Sequence, residues 1–217
     1  MRKVVAFVPL ILLGWVMTIA AGGKKEAGFE GVITYSMSYE ELPEELQSSA
    51  SMLPKDMTMY LKPGMSRIEQ NGLGKIVFLM KKKENEFYML MDMMGDKTAY
   101  KGTLDELKDT TAERIPVVKE TEETKVIAGY TCKKAVVTYP NEDPSDVWYT
   151  ESIPGGLTRD MSFIKGFPME YTRKTRGMSI LMTVTSIKKE KLSGKLFELP
   201  SGYTVKPYSE FKKLQGG

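Results

Sequence analysis

The chain has 217 residues, of which 41% are hydrophobic and 27% are charged, a balance typical of folded domains and not of a disordered chain. It contains no histidine and one cysteine, which excludes imidazole-based catalytic triads and Cys/His zinc sites within this chain. The 31 basic and 28 acidic residues leave a net charge of +3, too small to indicate a nucleic-acid-binding protein. Composition therefore favours a binding or structural protein over an enzyme.

The N-terminus has the layout of a secretory signal. Arg2 and Lys3 precede an apolar run over Val4–Ala21, which ends among small residues. We predict a signal peptide over residues 1–23, and export of the mature chain to the periplasm or elsewhere in the cell envelope. The apolar run also approaches the length of a membrane-spanning helix, so an uncleaved N-terminal anchor is the alternative.

The first half of the mature chain predicts a series of antiparallel hairpins. Apolar and polar residues alternate over Phe29–Ser38, which indicates a half-buried strand. The acidic stretch Glu40–Met52 predicts either a short amphipathic helix or a loop. Tight-turn sequences then separate five further predicted strands, which span Asp56–Lys62, Ser66–Asn71, Lys75–Lys81, Glu86–Met93 and Lys97–Lys101.

The second half continues the strand pattern. Thr103–Glu106 is a capping-box sequence that starts one short helix, and Asp109–Thr124 predicts a polar crossing with a short strand at residues 116–118. Later strands are predicted over Thr131–Tyr139, Asp146–Ser152, Met169–Thr175 and Met178–Lys188, with a surface loop over Pro154–Pro168. The tail Pro207–Leu214 is predicted as a helical turn or a frayed end. About ten strands without βαβ alternation predict one all-β domain over residues 24–217, a curved antiparallel sheet or incomplete barrel with a few short helices.

Four predicted strands carry rows of apolar side chains on one face, because residues two apart in a strand point the same way. The rows are rich in methionine and consist of Met57, Met59 and Leu61; Ile76, Phe78 and Met80; Phe87, Met89, Met91 and Met93; and Met178, Ile180, Met182 and Val184. Adjacent rows would form a wide surface of flexible, polarisable side chains. Such a surface either fills a curved core or offers an adaptable pocket for a hydrophobic ligand.

These rows lead to a prediction of function. We predict a non-enzymatic envelope protein that binds a hydrophobic or amphiphilic ligand, such as a lipid or a lipoprotein acyl chain, on the concave face of its sheet. Strand phase selects the lining residues as Ile33, Tyr35, Met57, Met59, Phe78, Met80, Phe87, Met89, Met91, Ile180 and Met182, with Trp148 at the rim. The alternative is a structural or interaction module with a fully packed core and another envelope protein as its partner.

Other kinds of site are disfavoured. The cluster of Met89, Met91, Met93 and Met94 has thioether ligands suited to copper(I), but bulky apolar neighbours and the lack of histidine favour core packing. Cys132 lies in a strand-like run and is predicted to be a buried small residue and not a reactive thiol. We predict no catalytic residue, no metal, no cofactor and no nucleic-acid partner, and membrane contact only through an uncleaved signal anchor.

Three segments resemble a family of uncharacterised exported bacterial β-proteins, a domain of unknown function grouped with the LolA/LolB-like lipoprotein carriers. They are Phe29–Tyr35, then Ile127–Ala135 together with Val147–Thr150, and finally Phe197–Tyr203. The resemblance implies a curved, incomplete antiparallel barrel covered by helices, with a hydrophobic cavity for acyl chains. The N-terminal lipid-bearing cysteine of the Lol-type receptor is missing from this sequence. Transport of lipoproteins would therefore be an analogy from fold alone.

Overall fold

The computed structural model describes residues 28–107, 116–155, 161, 163–175 and 177–216, so the predicted signal peptide lies outside the described part of the chain. All strands of the described residues belong to one open, mostly antiparallel sheet of twelve strands. The strands are β1 Gly31–Glu41, β2 Asp56–Lys62, β3 Met65–Asn71, β4 Lys75–Lys81, β5 Glu86–Met93, β6 Asp96–Thr103, β7 Val117–Ile127, β8 Tyr130–Thr138, β9 Ser145–Pro154, β10 Gly166–Thr175, β11 Met178–Lys189 and β12 Thr204–Pro207. The all-β prediction is confirmed.

The strand order in the sheet is β12-β6-β5-β4-β3-β2-β1-β11-β10-β9-β8-β7. The predicted meander is confirmed from β2 to β6, where each strand pairs antiparallel with the next. β1 lies in the middle of the sheet and pairs with β2 on one side and β11 on the other. The sheet is not closed, because β12 and β7 form its two edges.

The edge strand β7 corrects the predicted polar crossing. It is an 11-residue strand and not a short one, and Val117 and Val126 are 71% and 69% exposed. Its alternation is weak because most of its side chains are exposed and only Val118 and Ile127 pack against the core, so the sequence shows no period-2 pattern. A register shift between Glu120 and Thr124 and the many charges of β7 are features that protect sheet edges from unwanted pairing.

The structure also contains C-terminal elements that the sequence did not predict. β12 pairs parallel with β6, from Thr204 opposite Thr98 to Pro207 opposite Lys101. All four residues of β12 are exposed, so the strand has no apolar pattern of its own. The tail forms a nine-residue helix over Tyr208–Gly216, here α2, in place of the predicted turn or frayed end.

The predicted surface loop before β10 is partly wrong. Met161 and Ile164 are buried in the core, and β10 already begins at Gly166. Pro168 lies inside this strand next to a register shift between Pro168 and Glu170, where a residue without an N–H is tolerated. The glycine and proline content of the stretch therefore marks an irregular strand start as well as a loop.

A short helix occurs in each of the two stretches for which the sequence allowed one. The acidic stretch forms the four-residue helix α1, Glu44–Gln47, followed by a 3-10 turn over Ala50–Met52. The capping box is confirmed, because Thr103 N donates to Glu106 Oε2 at 2.7 Å and Glu106 N donates to Thr103 Oγ1 at 3.4 Å. These bonds begin a 3-10 helix over Leu104–Leu107.

One face of the sheet, here the inner face, carries most of the core. A single cluster of buried side chains includes residues from β1, β2, β4, β5, β9, β10 and β11. Eleven strand spacings of about 4.8 Å would make a flat sheet about 50 Å wide, whereas the nine residues of α2 extend only about 14 Å. The sheet must therefore curl around its own inner face to bury it.

The opposite, outer face of β4–β6 is covered by the chain itself. Val77, Leu79, Leu90 and Ala99 form a second buried cluster, against which Leu199 and Tyr203 pack. We call residues 192–203 the strap. Arg67 Nη1 donates to the carbonyl of Leu196 at 3.0 Å and helps to hold the strap against the sheet. The sheet is thus covered on both faces at its β4–β6 end, which explains the nearly continuous apolar sequence of β4.

Candidate functional site

The inner face brings together most of the predicted lining residues. Ten of the twelve belong to its buried cluster, each 5% exposed or less: Ile33, Tyr35, Met57, Met59, Phe78, Met80, Phe87, Met89, Ile180 and Met182. Met91 is partly buried and packs against the same cluster. Strand phase therefore gave the correct side for these eleven residues, and whether they line a ligand pocket stays a prediction.

Trp148 is half-buried and packs against the inner cluster, between its buried neighbours Val147 and Tyr149. Whether it lies at the rim of a ligand pocket stays a prediction. Lys125 Nζ lies 4.2 Å from the centre of the indole ring and Lys134 Nζ lies 5.9 Å from it. The ring therefore packs under two ammonium groups by cation–π contact.

The methionine rows are not all adjacent. β3 lies between β2 and β4 and places Ser66, Ile68 and Gln70 on the inner face. Ser66 is 4% exposed and Gln70 is 3% exposed, so two polar side chains are buried within the methionine-rich surface. These two residues were not predicted because only apolar residues were selected, although Ile68 fixes their phase.

Tyr35 is the central aromatic residue of the inner face. Its side chain is fully buried, and its hydroxyl donates a hydrogen bond to the carbonyl oxygen of Pro168 at 2.8 Å. The Phe167 and Tyr171 rings lie 6.3 Å and 6.4 Å from the Tyr35 ring, centre to centre. Burial raises the pKa of Tyr35 well above its usual value, so the hydroxyl remains a neutral donor. The phenol therefore ties β1 to β10 across the intervening strand β11.

Helix α2 covers one margin of the inner face. Tyr208 and Phe211 are the buried side chains of its described residues, at 5% and 1% exposure, whereas Leu214 is 67% exposed. The Phe87 and Tyr208 rings meet edge to face with centroids 4.8 Å apart, and the Tyr100 and Phe211 rings lie 5.1 Å apart. Tyr208 thus attaches this short helix to Phe87, a predicted lining residue, and Phe211 attaches it to Tyr100 of β6.

The segment between β1 and β2, here the loop cover (residues 42–55), lies at the other end of the strands. Leu46 of α1 is 3% exposed and belongs to the inner cluster. The hydroxyl of Tyr39 donates to the carbonyl of Pro54 at 2.9 Å, and burial raises the pKa of Tyr39 to about 12. A side-chain carbon on Gly72 would lie 2.8 Å from the carbonyl oxygen of Met52, so the loop cover packs closely on the turn after β3.

Open clefts occur at the margins of the sheet. One of about 450 Å³ includes Lys101, one of about 470 Å³ includes Glu30 and Lys189, and one of about 610 Å³ includes Asp143 and Lys174. None of these three clefts is lined by a predicted ligand-binding residue. The predicted lining residues therefore do not open onto these three clefts.

Cys132 is fully buried, and its thiol donates to the carbonyl of Tyr130 at 3.3 Å. The predicted buried position is confirmed, and burial raises the pKa of the thiol. We expect a maleimide to label native Cys132 at least 100-fold more slowly than the urea-unfolded chain, because both access and thiolate content are low. Mass spectrometry of timed samples measures this ratio, and equal rates would contradict the buried position.

No group of three or more His, Cys, Asp or Glu side chains in the described ranges has an arrangement that could hold a metal ion. No helix within these ranges is long and apolar enough to cross a bilayer.

Comparison with known sequences gives one partial match. The model of a family described as "Domain of unknown function (DUF4412)" matches residues 156–203. The matched stretch contains β10, β11 and the whole strap, including the segment Phe197–Tyr203 noted in the sequence. No curated protein sequence matches the chain.

Comparison with solved structures shows a shared fold. Two structures of PNGF-II, in space groups C2 and P21, match 86% of this chain at 20% identity, with TM-scores of 0.48 and 0.50. The chain spans about a third of the length of PNGF-II, 32% and 33% in the two crystal forms. The Mycobacterium tuberculosis lipoprotein LppX matches 76% of this chain and 89% of its own at 12% identity and a TM-score of 0.42. LprF from Mycobacterium bovis matches 80% and 90% at 12% identity and a TM-score of 0.36.

Proposed function

We propose that this protein binds a hydrophobic or amphiphilic ligand, such as a lipid or an acyl chain, on the inner face of its open sheet. The observation that carries the proposal is the composition of that face. In the described residues, nine methionines belong to one buried cluster: Met37, Met57, Met59, Met80, Met89, Met161, Met169, Met178 and Met182. Methionine side chains adapt to irregular apolar shapes at low cost, so the same surface can pack on itself or around a guest.

The attachment of α2 supports a route of entry. The helix contacts the inner face through Tyr208 and Phe211, and it is joined to the sheet by the four-residue strand β12. Release of α2 would uncover Phe87 and Tyr100, while the strap and the rest of the sheet stay in place. The ligand would then replace the two aromatic rings of the helix with its own apolar surface.

The proposal also includes the cellular location of the protein and its class, a binding protein and not an enzyme. Arg2, Lys3 and the apolar run that follows support export to the cell envelope. The apolar composition of the inner face supports binding without catalysis. We therefore place this protein among non-enzymatic binding proteins of the envelope.

A second candidate function is a structural or interaction module of the envelope. The nearly complete burial of the inner face favours it, since Met57, Met59 and Met182 are fully buried. In this alternative the methionine rows stabilise the sheet and a partner protein binds elsewhere on the surface.

Organic extraction separates the two candidates. The full chain is purified from envelope fractions without added lipid, extracted, and analysed by mass spectrometry beside an unrelated envelope protein prepared in parallel. A lipid enriched in stoichiometric amount supports the binding protein. An extract without enriched lipid, together with no uptake of a fluorescent fatty acid by the same sample, supports the structural module.

The α2 cover gives a kinetic prediction. Replacing Phe211 with alanine removes one of the two rings that hold the helix, so we expect a fluorescent fatty acid to associate at least five times faster with this variant. Leu214→Ala is the matched control, because Leu214 is largely exposed on the same helix, and its rate should equal that of the unaltered protein. Stopped-flow fluorescence measures both rates.

An unchanged rate of association would exclude α2 as the control of ligand entry. If Phe211→Ala keeps a native circular dichroism spectrum but takes up the fatty acid no faster than Leu214→Ala, α2 does not control access. Entry past the loop cover would then replace entry past α2.

A further inference from the structure

Two polar atoms on the inner face have no partner among the described residues. They are Ser66 Oγ and Gln70 Oε1, both in β3. The Gln70 amide nitrogen has only a long contact of 4.0 Å with the sulfur of Met37. The side chains are 4% and 3% exposed, so solvent outside the core does not reach them.

Their neighbours make this arrangement costly for a core that serves packing alone. Ser66 lies opposite Leu61 on β2 and Met80 on β4. Gln70 lies opposite Met57 and Ile76 on the same two strands. A buried acceptor without a donor loses its hydration without compensation, and an apolar residue of similar shape would avoid that loss.

The chemistry of the two atoms determines which ligand groups could form hydrogen bonds with them. An amide oxygen only accepts hydrogen bonds, so Gln70 Oε1 requires a donor. A serine hydroxyl both donates and accepts, so Ser66 pairs with a hydroxyl or a carbonyl oxygen. Four residues along one strand separate the two positions by about 13 Å, which is comparable to the length of ten or more methylene groups. One ligand with an extended chain can therefore pass both positions.

Resting on the function proposed above, we propose that the ligand is an acyl chain with a hydroxyl group within its apolar part. The hydroxyl donates to Gln70 Oε1 or pairs with Ser66 Oγ, while the methylene groups contact the surrounding methionines. A plain saturated chain would fit the same surface but would leave both polar atoms unpaired. The protein would therefore select the hydroxylated chain, because a plain chain leaves buried polar groups unsatisfied. That cost distinguishes the two ligands more strongly than apolar fit does.

The loop cover lies close to Gln70. Met37 N donates to the carbonyl of Lys55 at 2.8 Å, and Met37 is also the residue whose sulfur contacts the Gln70 amide. The cover also packs against Gly72, two residues after Gln70. A hydroxyl held by Gln70 would thus lie deep in the site, at the end of the strands where the loop cover closes it.

The test compares three probes of equal chain length on the full chain: stearic acid, 3-hydroxystearic acid and 12-hydroxystearic acid. We expect at least one hydroxylated acid to bind about tenfold more tightly than stearic acid in a competition assay with a fluorescent fatty acid. Gln70→Met keeps the side-chain length and removes the amide, and Ser66→Ala removes the hydroxyl. One of these variants should abolish the preference and leave the affinity for stearic acid within twofold.

The matched control is Ser36→Ala, which removes an exposed serine hydroxyl from β1 and should leave the preference unchanged. If all three acids bind with equal affinity, or if both β3 variants keep the preference, the hydroxyl-selective site is refuted while the proposed function stands. If no acid binds to the unaltered protein, the proposed function itself fails. Circular dichroism shows that each variant is folded before its affinities are compared.

Discussion

Replacing Tyr35 with alanine should lower the free energy of unfolding by about 4 kcal/mol, the range for deleting a fully buried aromatic ring. The ring is fully buried between Phe167 and Tyr171, and both neighbours belong to the same packed cluster. The cavity cannot collapse easily, because β1 is fixed by β2 on one side and β11 on the other. Urea unfolding followed by circular dichroism gives the difference between the two proteins.

Tyr35→Phe separates the hydrogen bond from the packing. This variant keeps the ring but leaves the buried carbonyl oxygen of Pro168 without its 2.8 Å donor, and we expect a loss of about 1 to 2 kcal/mol. If both substitutions cost the same, the hydroxyl carries most of the effect and the packing argument is wrong. If neither costs more than about 1 kcal/mol, Tyr35 is not central to the core.

Replacing Gly166 with alanine should destabilise the fold by about 3 kcal/mol, the upper range for forcing an extra methyl group into a packed core. At this first residue of β10 the backbone lies so close to β9 that a side-chain carbon would overlap the Thr150 carbonyl group. It would lie 2.7 Å from the Thr150 carbonyl carbon and 3.0 Å from the ring of Tyr149. The obstacle is backbone, so relief requires β9 and β10 to move apart.

Gly194→Ala is the control for this substitution. A side-chain carbon at Gly194 has nothing within 4 Å, so we expect a change of less than about 0.5 kcal/mol. Thermal and urea unfolding of both variants should agree in rank. Equal stability of Gly166→Ala and Gly194→Ala would mean that β9 and β10 are more widely spaced than described.

The elements that the sequence predicted well are those with local signals. β2 and β4 have the predicted bounds, because alternating apolar residues lie between turn sequences that stop each strand. The capping box of Thr103 and Glu106 is equally local. The same phase argument placed the methionines on the correct face.

The missed elements depend on distant partners. β12 forms only because it pairs with the free edge of β6, about a hundred residues earlier in the chain. Its four residues are all exposed, so their sequence has no apolar pattern that would indicate a strand. β7 is a strand because β8 pairs with it, and its own charged sequence resembles a loop.

The central position of β1 has a consequence for how the molecule assembles. Thr34 on β1 bonds to Thr185 on β11, 151 positions later in the chain. Bringing such distant segments together is slow, since the entropy of closing the long intervening loop is lost before the contact is formed. The two halves of the sheet therefore cannot join during synthesis until β11 has been made, so β1 is completed as a central strand only after most of the sheet exists.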